Sequence, residues 1–209
     1  MQFFAPHVRE GSRIVTRHSQ EEVIGTLDII SHSSAQTQRL GMRLGALMRG
    51  GELLLLDGQL GTGKTTFTQG LAQGMGIMVT VNSPTFTLLK EYAGQAISVV
   101  PEGQTQSISL PAQQRQTIRP ALYHFDLYRL DDPAEMIDLG FEDYFFSTTG
   151  VCVIEWADKA EGFWPSEHLR IHLKMLSETK RGILFIATGE RYRELLQQFQ
   201  KNSYATIST

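Results

Sequence analysis

The sequence feature that most constrains this chain is the decapeptide DGQLGTGKTT, residues 57–66. Gly58, Gly63, Lys64 and Thr65 fit the pattern G-x-x-x-x-G-K-[ST], in which a glycine-rich loop binds phosphate. The pattern stands in its required context. The apolar run ELLLLD before it is typical of a buried strand, and KTTFTQGLAQGMG after it is typical of a helix. We therefore predict a strand, a phosphate-binding loop and a helix in this order.

Each residue type in the loop suits contact with phosphate. Glycine adopts backbone angles that other residues avoid and leaves room for phosphate oxygens. Backbone N–H groups point into such a turn, and the following helix presents its positive N-terminal end. Lys64 can reach the β- and γ-phosphates of a nucleoside triphosphate, and the Thr65 hydroxyl can ligate Mg²⁺. The alternative is a glycine-rich turn that ends in Lys-Thr by chance, but the flanking strand and helix favour the phosphate site.

Two acids at the ends of apolar strands are candidates for the Mg²⁺ side of this site. Asp126 follows LYHF, and Glu155 follows VCVI. The carboxyl ends of parallel strands line the crevice in which α/β folds bind ligands, so both carboxylates are expected near the loop. The alternative for each is an exposed acid at a strand end.

Two further residues have a structural and a functional interpretation. Thr85, in VNSPTFTLL, lies where phosphate-binding-loop proteins often carry a segment that senses the γ-phosphate. The residues alone favour an ordinary proline-containing turn there. Trp156 follows Glu155 directly, and strand alternation points it to the opposite side, so core packing is the first expectation and stacking in the site the second.

Strands that alternate with helices predict an α/β fold of the P-loop NTPase kind. The expected sheet is mainly parallel and flanked by helices, with some antiparallel strands toward the C-terminus. The first helix is predicted to begin after Ser33, and DDPAEMIDLG predicts a helix capped by Asp132. We divide the chain into an N-terminal extension, 1–33, a P-loop domain, 34–189, and a C-terminal helix and tail, 190–209. The Gln/Ser-rich stretch 94–120 predicts a flexible insertion.

Composition restricts the classes of function. The formal net charge is -3, so no overall basic field would hold nucleic acid without help. The single cysteine, Cys152, excludes an internal disulfide and suggests no cysteine-based metal site. Neither a signal peptide nor a membrane-spanning run is evident, and a cytoplasmic protein is expected.

Four stretches in this order carry a resemblance to a known family: DGQLGTGKTTFTQGLAQGMGI, VNSPTFTLLKEY, LYHFDLYRLDDPAEMIDLGFEDYF and VCVIEWADKAEGFWPSEHLRIHL. Together they resemble the bacterial TsaE (YjeE) family over about residues 34 to 187. The loop alone is common to many families, but SPTFT, HFDLYRL and EW in this order are specific. The resemblance implies a small P-loop ATPase needed to make threonylcarbamoyladenosine beside the anticodon of certain tRNAs.

The resemblance also implies roles for individual residues. Lys64 would hold the phosphates, Thr65 and Glu155 would ligate Mg²⁺, and Asp126 would occupy the Walker-B-like or catalytic position, also as a candidate metal ligand. The predicted catalytic residues are thus Lys64, Asp126 and Glu155. The predicted nucleotide-binding residues are Thr37, Gly58, Gly61, Thr62, Gly63, Lys64, Thr65, Thr66, Thr85, Trp156 and Arg181.

The implied cofactors are ATP and Mg²⁺, and the implied partners are TsaB and TsaD, with tRNA contacted only indirectly and no membrane. Three departures from the family are the long 94–120 loop, the extended termini, and Ala157 where a proline often follows EW. A small-molecule kinase and a nucleotide-gated binding module with negligible turnover remain alternatives. A GTPase is disfavoured because the sequence has no N-K-x-D base-reading motif.

Overall fold

The computed structural model describes residues 24–98 and 116–204. Its strands are β1 Ile24–Ser31, β2 Leu53–Asp57, β3 Leu89–Tyr92, β4 Ala96–Ser98, β5 Gln116–Ile118, β6 Ala121–Asp126, β7 Gly150–Glu155, β8 His168–Met175 and β9 Arg181–Thr188. Its α-helices are α1 Ser34–Gly45, α2 Lys64–Gly74, α3 Glu135–Asp138, α4 Glu142–Phe145 and α5 Glu190–Tyr204, and a 3₁₀-helix covers Ala157–Ala160.

Seven strands form one mixed sheet in the order β1-β9-β8-β2-β7-β6-β3. Strands β8, β2, β7 and β6 are parallel neighbours at its centre. Antiparallel pairing adds β9 and β1 at one edge and β3 at the other. The predicted α/β class with a parallel core and antiparallel C-terminal strands is therefore confirmed, and the antiparallel β1 and β3 edges extend it.

The burial of the strands follows from their positions in the sheet. Every residue of β2 and of β7 is buried, because helices cover both faces of the parallel centre. Strand β8 instead alternates between half-buried and buried residues along most of its length. This arrangement puts the carboxyl ends of β2, β6 and β7 side by side at one edge of the sheet.

Helices α1 and α2 are parallel neighbours in direct backbone contact. A Cβ on Gly45 would lie 2.0 Å from the Leu71 backbone oxygen, and one on Gly70 would lie 1.9 Å from that of Gln38, so only glycine permits this approach. The contact brings the start of α1 beside the start of α2. As a result, the Thr37 methyl group lies 3.8 Å from the position that a Cβ of residue 63 would take.

Of the two predicted helix starts, the one at Ser33 is confirmed, whereas the one at Asp132 is two residues early, because the N-cap of α3 is Ala134 and the helix begins at Glu135. Ser33 caps α1, with its Oγ accepting a hydrogen bond from the Gln36 N–H at 3.2 Å. The Asp132 Oδ1 accepts one from the Ala134 N–H at 2.9 Å, while the Asp132 N–H donates to Glu135 at 3.2 Å. The helix that follows Asp132, α3, is only four residues long.

The stretch TFTLLKEY is extended only in its second half. The N–H groups of Thr87 and Leu88 both donate to the Pro84 carbonyl, which makes a turn, and β3 begins at Leu89. This turn positions Thr85 at the carboxyl end of β6, as described below.

Part of the predicted 94–120 insertion is described. Strands β4 and β5 pair with each other as a separate antiparallel ribbon, and residues 99–115 between them lie outside the described residues. Strand β1 falls within residues 1–33 and pairs with β9 along its full length. The division into extension, domain and tail stays a prediction. In the described parts, no helix is long and apolar enough to cross a membrane.

Candidate functional site

The glycine-rich loop leaves the carboxyl end of the central strand β2 and enters α2. At Gly58 the backbone has φ 141°, and a Cβ would lie 2.3 Å from the Leu173 backbone oxygen of β8, so glycine is required there. Gly63 is the N-cap of α2 in the left-handed conformation, and no side chain caps this helix among the described residues. The first N–H groups of α2 therefore remain available to a ligand beside the loop.

Lys64 begins α2, and its ammonium group lies inside the loop. Its Nζ donates to the carbonyls of Gly58 at 2.6 Å and Gln59 at 3.2 Å, and it lies 3.6 Å from the centroid of the Trp156 ring. Lys64 is only 5% exposed. This burial lowers the pKa of Lys64, although the neighbouring Glu155 carboxylate acts to raise it. An anion in the same site would stabilise a cation buried in this way.

Glu155, the last residue of β7, contacts α2 and β6 at once. Its Oε2 accepts a hydrogen bond from the Thr65 hydroxyl at 3.0 Å. Its Oε1 is 2.9 Å from Nε2 of His124 and 3.5 Å from the Thr68 hydroxyl. Glu155 is 2% exposed, so these neighbours supply the hydrogen bonds that a buried carboxylate needs.

Asp126 ends β6 directly opposite Glu155 in the parallel register. Its Oδ2 accepts hydrogen bonds from the hydroxyls of Ser83 and, at 2.7 Å, Thr85, and its Oδ1 accepts one from the Tyr128 N–H at 3.0 Å. The carboxylate thereby ties the proline-containing turn to the end of β6. Thr85 lies on a proline-containing turn, as the residues alone suggest, and its hydroxyl also reaches the site.

Trp156 has a left-handed backbone, with φ 62°, directly after β7. Its N–H donates to the Leu56 carbonyl at 2.9 Å, and its ring packs 5.0 Å from that of Tyr128 at an angle of 47°. The ring rests partly on the apolar core and also contacts Lys64. Both expected placements of Trp156, in the core and in the site, are therefore found together.

These elements enclose a cleft of about 370 Å³, which we call the acidic cleft. Its lining combines the loop and the start of α2 with the ends of β6 and β7. The lining residues are Leu60, Gly61, Gly63, Lys64, Thr65, Thr66, Ser83, Thr85, Asp126, Tyr128, Glu155 and Trp156.

A second cleft of about 240 Å³ lies on the other side of the loop, and we call it the α1 cleft. Arg181 borders it, with its Nε donating to the Thr62 carbonyl at 3.1 Å and its Nη2 to that of Gly61 at 3.3 Å. The residues that line this cleft are Ser33, Ser34, Thr37, Gly61, Thr62, Gly63, Thr66, Glu178, Thr179 and Arg181. Both clefts are lined by Gly61, Gly63 and Thr66, so they adjoin each other along the loop.

The predicted site residues thus line one of the two clefts, with the exception of Gly58, which lies beneath the loop. The sequence reasoning missed His124, Ser83 and Tyr128. His124 precedes Asp126 by two residues on β6, so strand alternation could have placed both side chains on one face. The hydroxyl of Ser83 and the ring of Tyr128 carried no such signal, because they lie on turns.

The mixed sheet and the glycine-rich loop opposite two buried carboxylates define an α/β protein whose central loop has the phosphate-binding pattern. A sequence profile of the family described as "Threonylcarbamoyl adenosine biosynthesis protein TsaE" matches residues 31–101 and 103–183. The chain belongs to this family, which takes part in the biosynthesis of threonylcarbamoyladenosine in tRNA. The resemblance found in the sequence motifs is confirmed.

Curated relatives and a solved structure agree with this assignment. The chain is 38% identical to the tRNA threonylcarbamoyladenosine biosynthesis protein TsaE of Bacillus subtilis over 167 residues, which cover 80% of this chain and 89% of the relative. The protein of the same name from Treponema pallidum is 35% identical over 154 residues, which cover 74% of this chain and 96% of the relative. The crystal structure of Bacillus subtilis YdiB matches with a TM-score of 0.64 and 31% identity, covering 87% of this chain and 98% of YdiB.

Proposed function

We propose that this chain is a Mg²⁺-dependent ATPase that supports the threonylcarbamoyl transfer complex acting on adenosine beside the anticodon of tRNA. Family membership supports the pathway. The ATPase activity rests on one observation: Lys64 and Thr65 line the acidic cleft together with Asp126 and Glu155. This is the combination of cation, hydroxyl and carboxylates that phosphoryl transfer to water uses.

The loop would bind the triphosphate. The uncapped first turn of α2 offers N–H donors, and Lys64 offers an ammonium group whose lowered pKa reflects burial. Phosphate oxygens would replace the carbonyls of Gly58 and Gln59 as acceptors for that group. Each such bond would join an ammonium group to a charged phosphate oxygen, and a charge-assisted hydrogen bond contributes about 1.5–3 kcal/mol.

The residues beside Lys64 fit a magnesium ion. Ligands at about 2.0–2.1 Å in octahedral geometry place adjacent oxygens about 3.0 Å apart. The Thr65 Oγ1 and Glu155 Oε2 are 3.0 Å apart, which equals one edge of that octahedron. Among the described residues, no group of three or more His, Cys, Asp or Glu side chains is placed to hold a metal ion. A magnesium ion beside Thr65 and Glu155 would therefore take its remaining ligands from water and phosphate. Bound there, Mg²⁺ would neutralise charge on the β- and γ-phosphates.

Asp126 is the carboxylate that we assign to the attacking water. It lines the acidic cleft while holding the Ser83–Thr85 turn, so the carboxylate and the Thr85 hydroxyl are fixed relative to each other. A hydroxyl and a carboxylate held together in this way can orient a water molecule and accept its proton. The nucleoside would occupy the α1 cleft, between Thr37 and Arg181, because that cleft continues from the loop.

TsaB and TsaD are the partners that we propose. Leu60, which lines the acidic cleft, is 77% exposed, and Phe86, next to Thr85, is 83% exposed. Family membership supports these partners, and we propose that they cover Leu60 and Phe86 beside the cleft. The net charge of -3 gives no general affinity for tRNA, so contact with tRNA would be indirect.

Calorimetric titration with Mg·ATP tests the binding site. Lys64→Ala should weaken binding roughly 10- to 100-fold, which corresponds to about one lost charge-assisted hydrogen bond. Lys159→Ala is the matched control, because Lys159 packs over Tyr128 and donates to Leu130, outside the loop. We expect the control to bind within about twofold of the wild type. Equal affinity of wild type and Lys64→Ala would refute the site.

A further inference from the structure

His124 is a buried polar residue that the proposed chemistry does not use directly. It is fully buried on β6, two residues before Asp126. Its Nε2 lies 2.9 Å from Oε1 of Glu155, and its Nδ1 has no hydrogen-bond partner in the described parts of the chain. A buried, half-partnered histidine of this kind calls for an explanation beyond packing, because a leucine would fill the position without burying a polar atom.

The surroundings of the ring indicate where its proton lies. Nε2 faces a carboxylate oxygen, which only accepts hydrogen bonds, so Nε2 is the nitrogen that carries hydrogen and donates. The His124 ring is therefore a fixed donor aimed at one oxygen of Glu155.

Glu155 is held differently at its two oxygens. Oε1 is close to His124 and Thr68, which are both fully buried. Oε2 is bonded to the Thr65 hydroxyl, which lines the acidic cleft. The donors at Oε1 fix the rotation of the carboxylate, and this rotation decides whether Oε2 faces the cleft.

We infer that His124 is a positioning residue that anchors Oε1 of Glu155, so that Oε2 and the Thr65 hydroxyl together face the magnesium ion. This inference rests on the proposed function. Without the His124 donor, the carboxylate can rotate, and the 3.0 Å spacing between Thr65 Oγ1 and Glu155 Oε2 is lost for part of the time. Residues that orient a metal ligand from behind typically change metal affinity 10- to 100-fold when they are replaced.

The test compares His124 variants by the Mg²⁺ dependence of nucleotide affinity. A fluorescent ATP analogue is titrated in EDTA and then over a range of Mg²⁺ concentrations, and thermal unfolding is followed in parallel. His124→Leu removes the donor but keeps an apolar side chain of similar size. His124→Gln keeps an N–H group at about the position of Nε2. His124→Asn keeps polarity but is too short to reach Glu155.

In His124→Leu and His124→Asn, the Mg²⁺ concentration that gives half of the increase in nucleotide affinity, the Mg²⁺ midpoint, should rise about 10- to 100-fold. The affinity of these variants for the nucleotide in EDTA should stay within about twofold of the wild type. His124→Gln should recover most of the loss. Leu122→Ala is the control for damage to β6, because Leu122 is buried on the same face two residues earlier. It should lower the melting temperature without shifting the Mg²⁺ midpoint.

A folded His124→Leu or His124→Asn protein with the Mg²⁺ midpoint of the wild type would overturn the inference. A His124→Gln protein whose Mg²⁺ midpoint is as high as that of His124→Asn would overturn it as well. If His124→Leu does not fold, the Mg²⁺ midpoints of His124→Asn and His124→Gln are compared with each other, and this comparison alone tests the inference. The proposed function fails separately, and the inference with it, if the wild-type protein shows no Mg²⁺-dependent nucleotide binding. If the wild-type protein binds nucleotide in a Mg²⁺-dependent way and the His124 variants show the same Mg²⁺ dependence, only the role of His124 is refuted.

Discussion

Replacing glycines of the loop tests its geometry quantitatively. Gly58 and Gly61 both have positive φ, 141° and 77°, so alanine is strained at either position. At Gly58 a Cβ would also lie 2.3 Å from the Leu173 oxygen and 2.9 Å from the Thr62 hydroxyl, whereas at Gly61 nothing lies within 4 Å. Strain alone costs about 1–2 kcal/mol at Gly61. Strain and a clash with the backbone of β8 cost about 3–5 kcal/mol at Gly58.

Thermal unfolding of the two single variants measures this difference. For a chain of this size, each kcal/mol shifts the melting temperature by about 2–4 °C. We expect Gly61→Ala to melt about 2–8 °C below the wild type and Gly58→Ala about 6–20 °C below it. Each variant serves as the control for the other, because the amino-acid change is the same. Equal melting temperatures, or a lower one for Gly61→Ala, would refute the close approach of the loop to β8.

Three further predictions address other parts of the structure. Arg181→Ala removes hydrogen bonds to the Thr62 and Gly61 carbonyls, so ATP affinity should fall about tenfold; unchanged affinity by titration would contradict a role in holding the loop. Burial raises the pKa of the Cys152 thiol to about 12, so iodoacetamide at pH 8 should alkylate Cys152 only after unfolding in urea; rapid alkylation of the native protein would contradict its burial. Burial also raises the pKa of Asp57, so its stabilising contribution is present below pH 3.8 and is lost as pH rises through the native pKa. The free energy of unfolding of Asp57→Asn, relative to wild type, should therefore increase from pH 3.5 to 5.5 in urea titrations, and a decrease would mean that attraction to Arg170 outweighs burial.

The local elements around the loop were predictable because each has its own sequence signal. ELLLLD and VCVIE are continuous apolar runs, and they form the buried strands β2 and β7. Ser33 also caps α1 as its sequence indicates, whereas Asp132 closes the turn before α3 instead of capping the helix. The start of β3 carried no such signal, because the hydrogen bonds of Thr87 and Leu88 to the Pro84 carbonyl make a turn that delays the strand until Leu89. The short length of α3 carried no signal either.

The candidate site was only partly predictable for a physical reason. The loop residues are contiguous, and Asp126 and Glu155 end strands, so one pattern and one rule of α/β topology bring them together. The role of His124 depends on the register of β6 against β7 and on the approach of α2, which are tertiary contacts. The left-handed backbone of Trp156, which brings its ring to Lys64, is likewise fixed by a hydrogen bond to β2.

Hydrolysis of Mg·ATP at the loop, in support of the threonylcarbamoyl transfer complex, is the activity that we propose for this chain. Phosphate release from Mg·ATP measures it, by the purified chain alone and then with TsaB, TsaD and tRNA, with Lys64→Ala run in parallel. We expect slow release that rises when the partners are added and is lost in Lys64→Ala. Release that the partners leave unchanged, or that persists in Lys64→Ala, would contradict the proposal.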